Sequence, residues 1–107
     1  MEKCKLEGPQ TIQNQPQDGC VVVDNGEIQA KFIEVHEAHH EIRLFGNKGQ
    51  NEFASHIELN YILAEKQFSE HIVYIQTGGI DDAMEHARLL QKALNCLNTL
   101  LRLTAKS

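Results

Sequence analysis

Apolar and polar residues alternate most regularly in the middle of the chain. From Ile57 to Leu63 every second residue is large and apolar, a period of two that is typical of a strand with one buried face. Two shorter apolar segments, Cys20–Asp24 and residues 71–76 (HIVYIQ), are rich in β-branched residues, and the second is predicted to be a central strand. The pattern therefore predicts a sheet built from several short strands.

Residues 27–45 contain no Gly, Pro, Asn or Asp, and their pattern fits two structures. As a helix, they would place on one face Ile28, Phe32, Val35, His39 and Ile42. As two strands, they would bend within residues 37–40. The preceding Asn25-Gly26 pair favours a type I′ hairpin turn, and the neighbouring segments supply a sheet to join. We therefore predict strands for this stretch.

Residues 82–103 carry a helical pattern that begins with a capping-box variant at Asp82 and Glu85. Their apolar residues form two adjacent stripes: Ala83, Ala87, Leu90, Leu94, Leu97 and Leu101 in the first, and Leu89, Ala93, Cys96, Leu100 and Leu103 in the second. Two stripes make a wider apolar arc than one sheet face needs. They fit a helix sunk in a groove of its own sheet, or one stripe packed on a second copy. We expect a homodimer through this C-terminal helix.

Together these elements predict an α+β fold, in which an antiparallel β-meander of four to five strands is followed by one long C-terminal α-helix packed on one sheet face. Residues 20–107 are expected to form a single α+β domain. Residues 1–19 are expected to form a polar N-terminal tail, because they contain few apolar side chains to bury. The order of a sheet followed by a helix is similar to that of small single-strand nucleic-acid binders, which present basic and aromatic faces.

Composition argues against nucleic-acid and membrane partners. The 107 residues carry a formal net charge of −5, and aromatic residues make up 6% of them. An acidic surface repels phosphate groups and anionic lipids. The first residues lack the apolar core of a signal peptide, and no apolar run is long enough to span a membrane. We therefore expect no nucleic-acid partner and no membrane partner.

The three cysteines, Cys4, Cys20 and Cys96, form neither a CxxC metal motif nor an even set for a disulfide framework. Cys20 and Cys96 have apolar neighbours and are expected to be small buried hydrophobic residues. Cys4 lies in the polar tail and is expected to be an exposed free thiol. This usage fits a reducing compartment, so we predict a cytoplasmic location.

One short string points to chemistry, because residues 36–40 read His-Glu-Ala-His-His. This H-E-x-x-H pattern resembles the motif of the zincin metallopeptidases. The resemblance implies a helix on which His36 and His40 bind one Zn²⁺ and Glu37 acts as general base. On strands that geometry is lost, and the string is a solvated loop in which His36, His39 and His40 are candidate ligands of a structural or adventitious metal ion.

We predict that the protein is a small acidic, non-enzymatic interaction module, a homodimer that binds another protein in an inhibitor, immunity-type or accessory role. The sheet face that the helix leaves uncovered is the expected docking surface. This function assigns no catalytic residue and no cofactor. Two alternatives stay open. One is a metal-dependent hydrolase that uses zinc at residues 36–40. The other is a small-ligand-binding domain with a pocket between sheet and helix lined by Ile57, Leu59, Tyr61, Tyr74 and Leu94.

Overall fold

The computed structural model describes residues 3–7, 17–36, 39–46, 52–76 and 78–105. They form six strands and one helix: β1 (Lys3–Glu7), β2 (Cys20–Asp24), β3 (Ile28–His36), β4 (His39–Gly46), β5 (Glu52–Ile62), β6 (Gln67–Tyr74) and α1 (Ile80–Ala105). The strands lie antiparallel in one sheet, in the order of the sequence. The predicted α+β fold, a meander followed by one helix packed on it, is confirmed.

The segment whose pattern fitted either a helix or strands consists of two strands. β3 and β4 pair from Ile28 opposite Gly46 to His36 opposite His39. Two core residues, Phe32 of β3 and Ile42 of β4, lie opposite each other on the buried face of the sheet. Packing between such opposite residues favours strands over a helix for this segment, a choice that the local periodicity alone does not make.

The turn between β2 and β3 is tight, but it differs from the predicted type I′. The N–H of Asn25 donates to the carbonyl oxygen of Ile28 at 3.1 Å, so Gly26 and Glu27 are the central residues. Gly26 has a φ of 97°, whereas neither Asn25 nor Glu27 is among the non-glycine residues with positive φ, so the two positive φ values that a type I′ turn needs are absent. The Asn25 side chain accepts from the N–H groups of Glu27 and Ile28 and holds the turn in place.

The first strand lies in the segment that the polar composition predicted to be a tail. β1 pairs with β2 at the edge of the sheet, and the described sheet therefore has six strands rather than four to five. Cys4 of β1 forms a disulfide with Cys96 of α1, with 5.3 Å between their Cα atoms. The expectation of a free thiol at Cys4 is wrong. Backbone pairing and a covalent bond hold this strand, and composition indicates neither. Residues 8–16 of the predicted tail lie outside the described residues.

The helix lies on one face of the sheet and contacts every described strand. The middle of both apolar stripes is buried there: Leu90 and Leu97 of the first stripe and Leu89 and Ala93 of the second are 0% exposed, whereas Ala87 is exposed and Leu100 and Leu101 are half-buried. The sheet of the same chain therefore explains the wide apolar arc. Within the described residues, no helix combines the length and the apolarity needed to cross a membrane.

A side chain of the helix covers the beginning of the other edge strand, β6. The amide nitrogen Nδ2 of Asn98 donates to the carbonyl oxygen of Phe68 at 2.8 Å, and Oδ1 of Asn98 accepts from the N–H of Phe68 at 2.9 Å. Because these two backbone groups bond to Asn98, they are not available to a further strand. The remainder of β6 has no such cover.

Candidate functional site

The histidine-rich string spans the connection between β3 and β4. His36 ends β3, and His39 and His40 begin β4, whereas Glu37 and Ala38 lie outside the described residues. His36 and His39 are register partners, with their ring centroids 4.9 Å apart. Strands rather than a helix carry these histidines, so His36 and His40 do not stand one helical turn apart as the zincin arrangement requires.

His40 lies on the helix side of the sheet. Its ring stacks on Phe32 with 5.0 Å between the centroids and meets the edge of Phe68 at 5.5 Å, and both phenylalanines belong to the core. Successive residues of a strand face opposite sides of the sheet, so His39 faces away from His40. Of the three predicted metal ligands, the structure brings His36 and His39 together and places His40 on the other side.

The aromatic environment of His40 makes the stability of the fold depend on pH. Burial lowers the pKa of His40 below its ordinary value of 6.5; Glu34 opposes this effect, and the neighbouring His39 and His36 add to it. In mild acid the unfolded chain then binds a proton that the folded chain does not. The contribution of His40 is therefore present above pH 6.5 and is lost as the pH falls below that value.

We expect His40→Gln, which does not titrate, to lose less stability than the wild type when the pH falls from neutral into mild acid. Urea unfolding on both sides of pH 6.5 measures the difference. His36→Gln is the matched control and should keep most of the wild-type pH dependence, because His36 is exposed and its effect on the pKa of His40 is the smallest of the four. An acid-induced loss in His40→Gln as large as that of the wild type would contradict the prediction.

The sheet face opposite α1, the open face, carries a group of polar side chains on β4 and β5. Glu41 and Glu58 are register partners on these neighbouring strands. One ligand atom from each of Glu41, His56 and Glu58 lies within 4.8 Å of the other two. Glu41 is 8% exposed, and the other two are half-buried. These three residues form the Glu–His cluster.

Charged and titratable neighbours surround the Glu–His cluster. Arg43 donates from Nε to Oε1 of Glu41 at 2.6 Å and from Nη1 to Glu52 at 3.2 Å. The hydrogen bond to Glu41 is the main cause that raises the pKa of the Arg43 guanidinium. Glu58 lies between two imidazoles, with Nε2 of His39 3.6 Å from Oε1 and Nε2 of His56 3.6 Å from Oε2. Arg43 thus balances Glu41, whereas the partners of Glu58 are histidines.

A second feature of the surface is the outer edge of β6, which is exposed beyond the part that Asn98 covers. Residues 70–74 are all exposed, and Ile72, Val73 and Tyr74 keep 46%, 47% and 44% of their surface. No described strand pairs with this edge. The prediction of a central strand is therefore wrong for the single chain: the segment has the composition of a central strand but lies at an edge.

A buried serine–histidine pair joins β5 to α1. Oγ of Ser55 and Nδ1 of His86 are 2.7 Å apart, and the N–H of Gln76 donates to Oγ of Ser55 at 3.2 Å. His86 lines a cavity of about 490 Å³ together with Phe53 and Asp82. Ser55 is 0% exposed, so its oxygen is closed to a substrate. The pair therefore anchors the helix to the sheet.

The residues predicted to line a small-ligand pocket are spread between the core and the surface. Ile57, Leu59 and Leu94 are at most 6% exposed, whereas Tyr61 and Tyr74 are 40% and 44% exposed. Two cavities that described residues line are found elsewhere: one is at His86, and one of about 410 Å³ lies beside the Cys4–Cys96 disulfide.

Comparisons with protein-family models, with curated proteins and with solved structures find no match for this chain. The function is therefore argued from its residues. The sequence does not predict the Glu–His cluster, because Glu41 meets the other two residues only through the register of β4 and β5. Only part of the cluster could have been found from the sequence: His56 and Glu58 are two residues apart, which puts both on one face of a predicted strand.

Proposed function

We propose that the protein is a small non-enzymatic interaction module that forms a homodimer through β6 and binds another protein on its open face. The observation that carries this proposal is the exposure of residues 70–74 at an edge of the sheet. An exposed apolar edge strand favours pairing with another strand, which satisfies its unpaired backbone groups. Two identical strands pair antiparallel about a two-fold axis, which is the symmetry of most homodimers.

The composition of β6 supports a second strand beside it. Residues 71–74 (HIVY) contain no Lys, Arg, Asp or Glu, and their composition is that of a strand with neighbours on both sides. Ile72 and Tyr74 face the open side, opposite Glu58 and His56, whereas Val73 faces the helix side. A partner strand would therefore meet apolar side chains on both faces. Pairing with a second copy would make β6 the central strand that its sequence predicts.

The proposed dimer uses β6 and not the C-terminal helix that the sequence analysis favoured. The sheet of the same chain covers the middle of both apolar stripes, where Leu89 and Leu90 are 0% exposed. Apolar area that is already removed from water gains nothing from a second copy. The homodimer itself stays a prediction, but its proposed interface is now β6 rather than the C-terminal helix.

The open face is the surface that we propose for the protein partner. Antiparallel pairing of β6 about a two-fold axis puts the open faces of both copies on the same side of one continuous sheet. The net charge of −5 favours a partner with a basic surface. An inhibitor, immunity-type or accessory role suits a module that covers such a surface.

A hydrolase based on residues 36–40 is not proposed. That chemistry needs two histidines on one helical face and a glutamate between them. His36 and His40 lie on different strands, and His40 is stacked on Phe32.

The cellular location stays a prediction. The odd number of cysteines favours the cytoplasm, whereas the Cys4–Cys96 disulfide is typical of oxidising compartments. Lysis of the cells directly into a denaturant that contains an alkylating agent, followed by mass analysis of the chain, separates the two, because the buried Cys20 then reacts in either case. Modification of Cys20 alone indicates an oxidising compartment, and modification of all three cysteines indicates a reducing one.

We expect Val73→Lys to convert the homodimer into a monomer. At a paired edge the lysine would lose hydration, whereas in a single chain it extends into water, so the fold is retained. Sedimentation equilibrium over a range of concentrations should give twice the chain mass of 12.1 kDa for the wild type and the single mass for the variant.

Leu63→Lys is the matched control for this experiment, because Leu63 is 78% exposed but lies in the turn before β6. This variant should remain a dimer. Amide exchange at residues 70–74 should be slower in the wild type than in Val73→Lys. A monomeric wild type, or a Val73→Lys protein that still dimerises, would contradict the proposal.

A further inference from the structure

We propose that the Glu–His cluster binds one divalent transition-metal ion, with Glu41, His56 and Glu58 as ligands. The ligand atoms of these three residues converge within 4.8 Å. Nε2 of His39 lies 3.6 Å from the other oxygen of Glu58, Oε1, so His39 is a neighbour of the site and not one of its ligands. All three ligands belong to one chain and lie on the open face, so the site does not depend on the proposed dimer.

The hydrogen bonding of His56 directs one ring nitrogen at the cluster. Nδ1 lies 3.1 Å from the carbonyl oxygen of Ala54, and because a carbonyl only accepts, this nitrogen carries the hydrogen. In the neutral ring Nε2 is then an acceptor, and it faces another acceptor, Oε2 of Glu58, at 3.6 Å. A cation between the two atoms satisfies both. Metal-bound histidines usually donate their other N–H to a carbonyl or carboxylate, as His56 does here.

The charges on the open face favour a cation at the same place. Glu41 and Glu58 lie directly opposite each other, and like charges at opposite positions of a sheet repel. Arg43 offsets part of this repulsion, but its hydrogen bonds go to Glu41 and Glu52. Glu58 instead has the two histidines, His39 and His56, as its described partners. A divalent ion bound between the opposed carboxylates would neutralise both.

The distances and the ligand types suit an ion of the size of zinc. Bonds of about 2.0–2.2 Å to oxygen and nitrogen place neighbouring ligand atoms of a tetrahedron about 3.4 Å apart. The separation of 3.6 Å between Glu58 and His56 is close to that value, and the ligand atom of Glu41 lies within 4.8 Å of both. Imidazole with carboxylate suits Zn²⁺, Fe²⁺ or Co²⁺, whereas Ca²⁺ and Mg²⁺ prefer oxygen ligands alone.

The proposed ligand set shares no residue with the histidines singled out by the H-E-x-x-H string. Single substitutions therefore separate the two hypotheses. His56 and Glu58 belong only to the cluster, and His36 belongs only to the string.

Isothermal titration of metal-stripped, tag-free protein with ZnSO₄ should show one site per chain. His56→Ala and Glu58→Gln should each weaken Zn²⁺ binding by about 100-fold or more, because each removes a ligand. His36→Ala is the control and should bind Zn²⁺ as the wild type does. The visible absorption of a Co²⁺ complex should appear in the wild type and in His36→Ala and be absent from the other two variants.

Three outcomes would overturn the proposal: no stoichiometric binding by the wild type, loss of binding in His36→Ala with normal binding in His56→Ala, or loss of binding in Val73→Lys. The first would mean that the cluster holds no metal ion, and the second would favour the histidines of the string. The third would mean a site shared between two copies. Circular dichroism and thermal unfolding of the metal-free variants establish that the substituted chains are folded.

Discussion

Loss of the Cys4–Cys96 disulfide is expected to lower the free energy of unfolding by about 2–4 kcal/mol. The bond joins β1 to α1 across a sequence separation of 92. Closing so long a loop removes many conformations of the unfolded chain, and in the folded chain it holds an edge strand of polar sequence. Urea unfolding of oxidised wild type and of Cys4→Ser measures the difference.

Reduction separates the effect of the bond from the effect of the substitution. Dithiothreitol should destabilise the wild type by a similar amount and leave Cys4→Ser unchanged. Amide exchange in Lys3–Glu7 should become faster in the reduced protein, because pairing with β2 is then the only described tie of this strand to the sheet. A wild type whose stability does not respond to reductant would show that the two cysteines are not bonded.

Leu89→Ala is expected to lower the free energy of unfolding by about 2–5 kcal/mol, by an amount that does not change with protein concentration. Leu89 belongs to the second stripe of α1 and is 0% exposed. The sheet of the same chain covers it, so the cavity left by the substitution is intramolecular. If a second copy covered this stripe, stability would increase with protein concentration by mass action. The comparison is made with Val73→Lys as the parent, which removes any contribution from pairing of β6.

Leu63→Ala in the same parent is the matched control. Leu63 is 78% exposed, and its truncation should change the free energy of unfolding by no more than about 0.5 kcal/mol. A cost at Leu89 as small as that at Leu63, or one that changes with concentration, would restore the helix as the dimer surface.

Sequence patterns predicted the elements whose conformation is set by residues that are close together in the sequence. β5 follows from the alternation around Ile57 and Leu59, and α1 follows from its stripes and from the acidic residues at its start. β1 could not be predicted in this way, because what holds it is β2 and Cys96, both distant in the sequence. The type of the turn at Gly26 also depends on how β2 and β3 twist, which the Asn-Gly pair alone does not determine.

The candidate sites were less predictable than the fold. Both surfaces arise from strand register and strand order: Glu41 meets Glu58 only because β4 and β5 pair as they do, and β6 is exposed only because it comes last in the sheet. The histidine string, in contrast, was conspicuous in the sequence, but its three histidines are divided between the two faces of the sheet. The H-E-x-x-H motif implies a metal site only on a helix, and here strands carry its histidines.

The sheet order also limits how far an assembly of this chain can grow. β1 and β6 lie at opposite edges, so pairing β6 with β6 uses the apolar edge of both chains and leaves a copy of β1 at each end of the doubled sheet. β1 has lysines at positions 3 and 5, and lysines on an edge strand discourage the addition of another strand. The proposed pairing would therefore close at two chains, although each chain carries an apolar edge of the kind from which filaments grow.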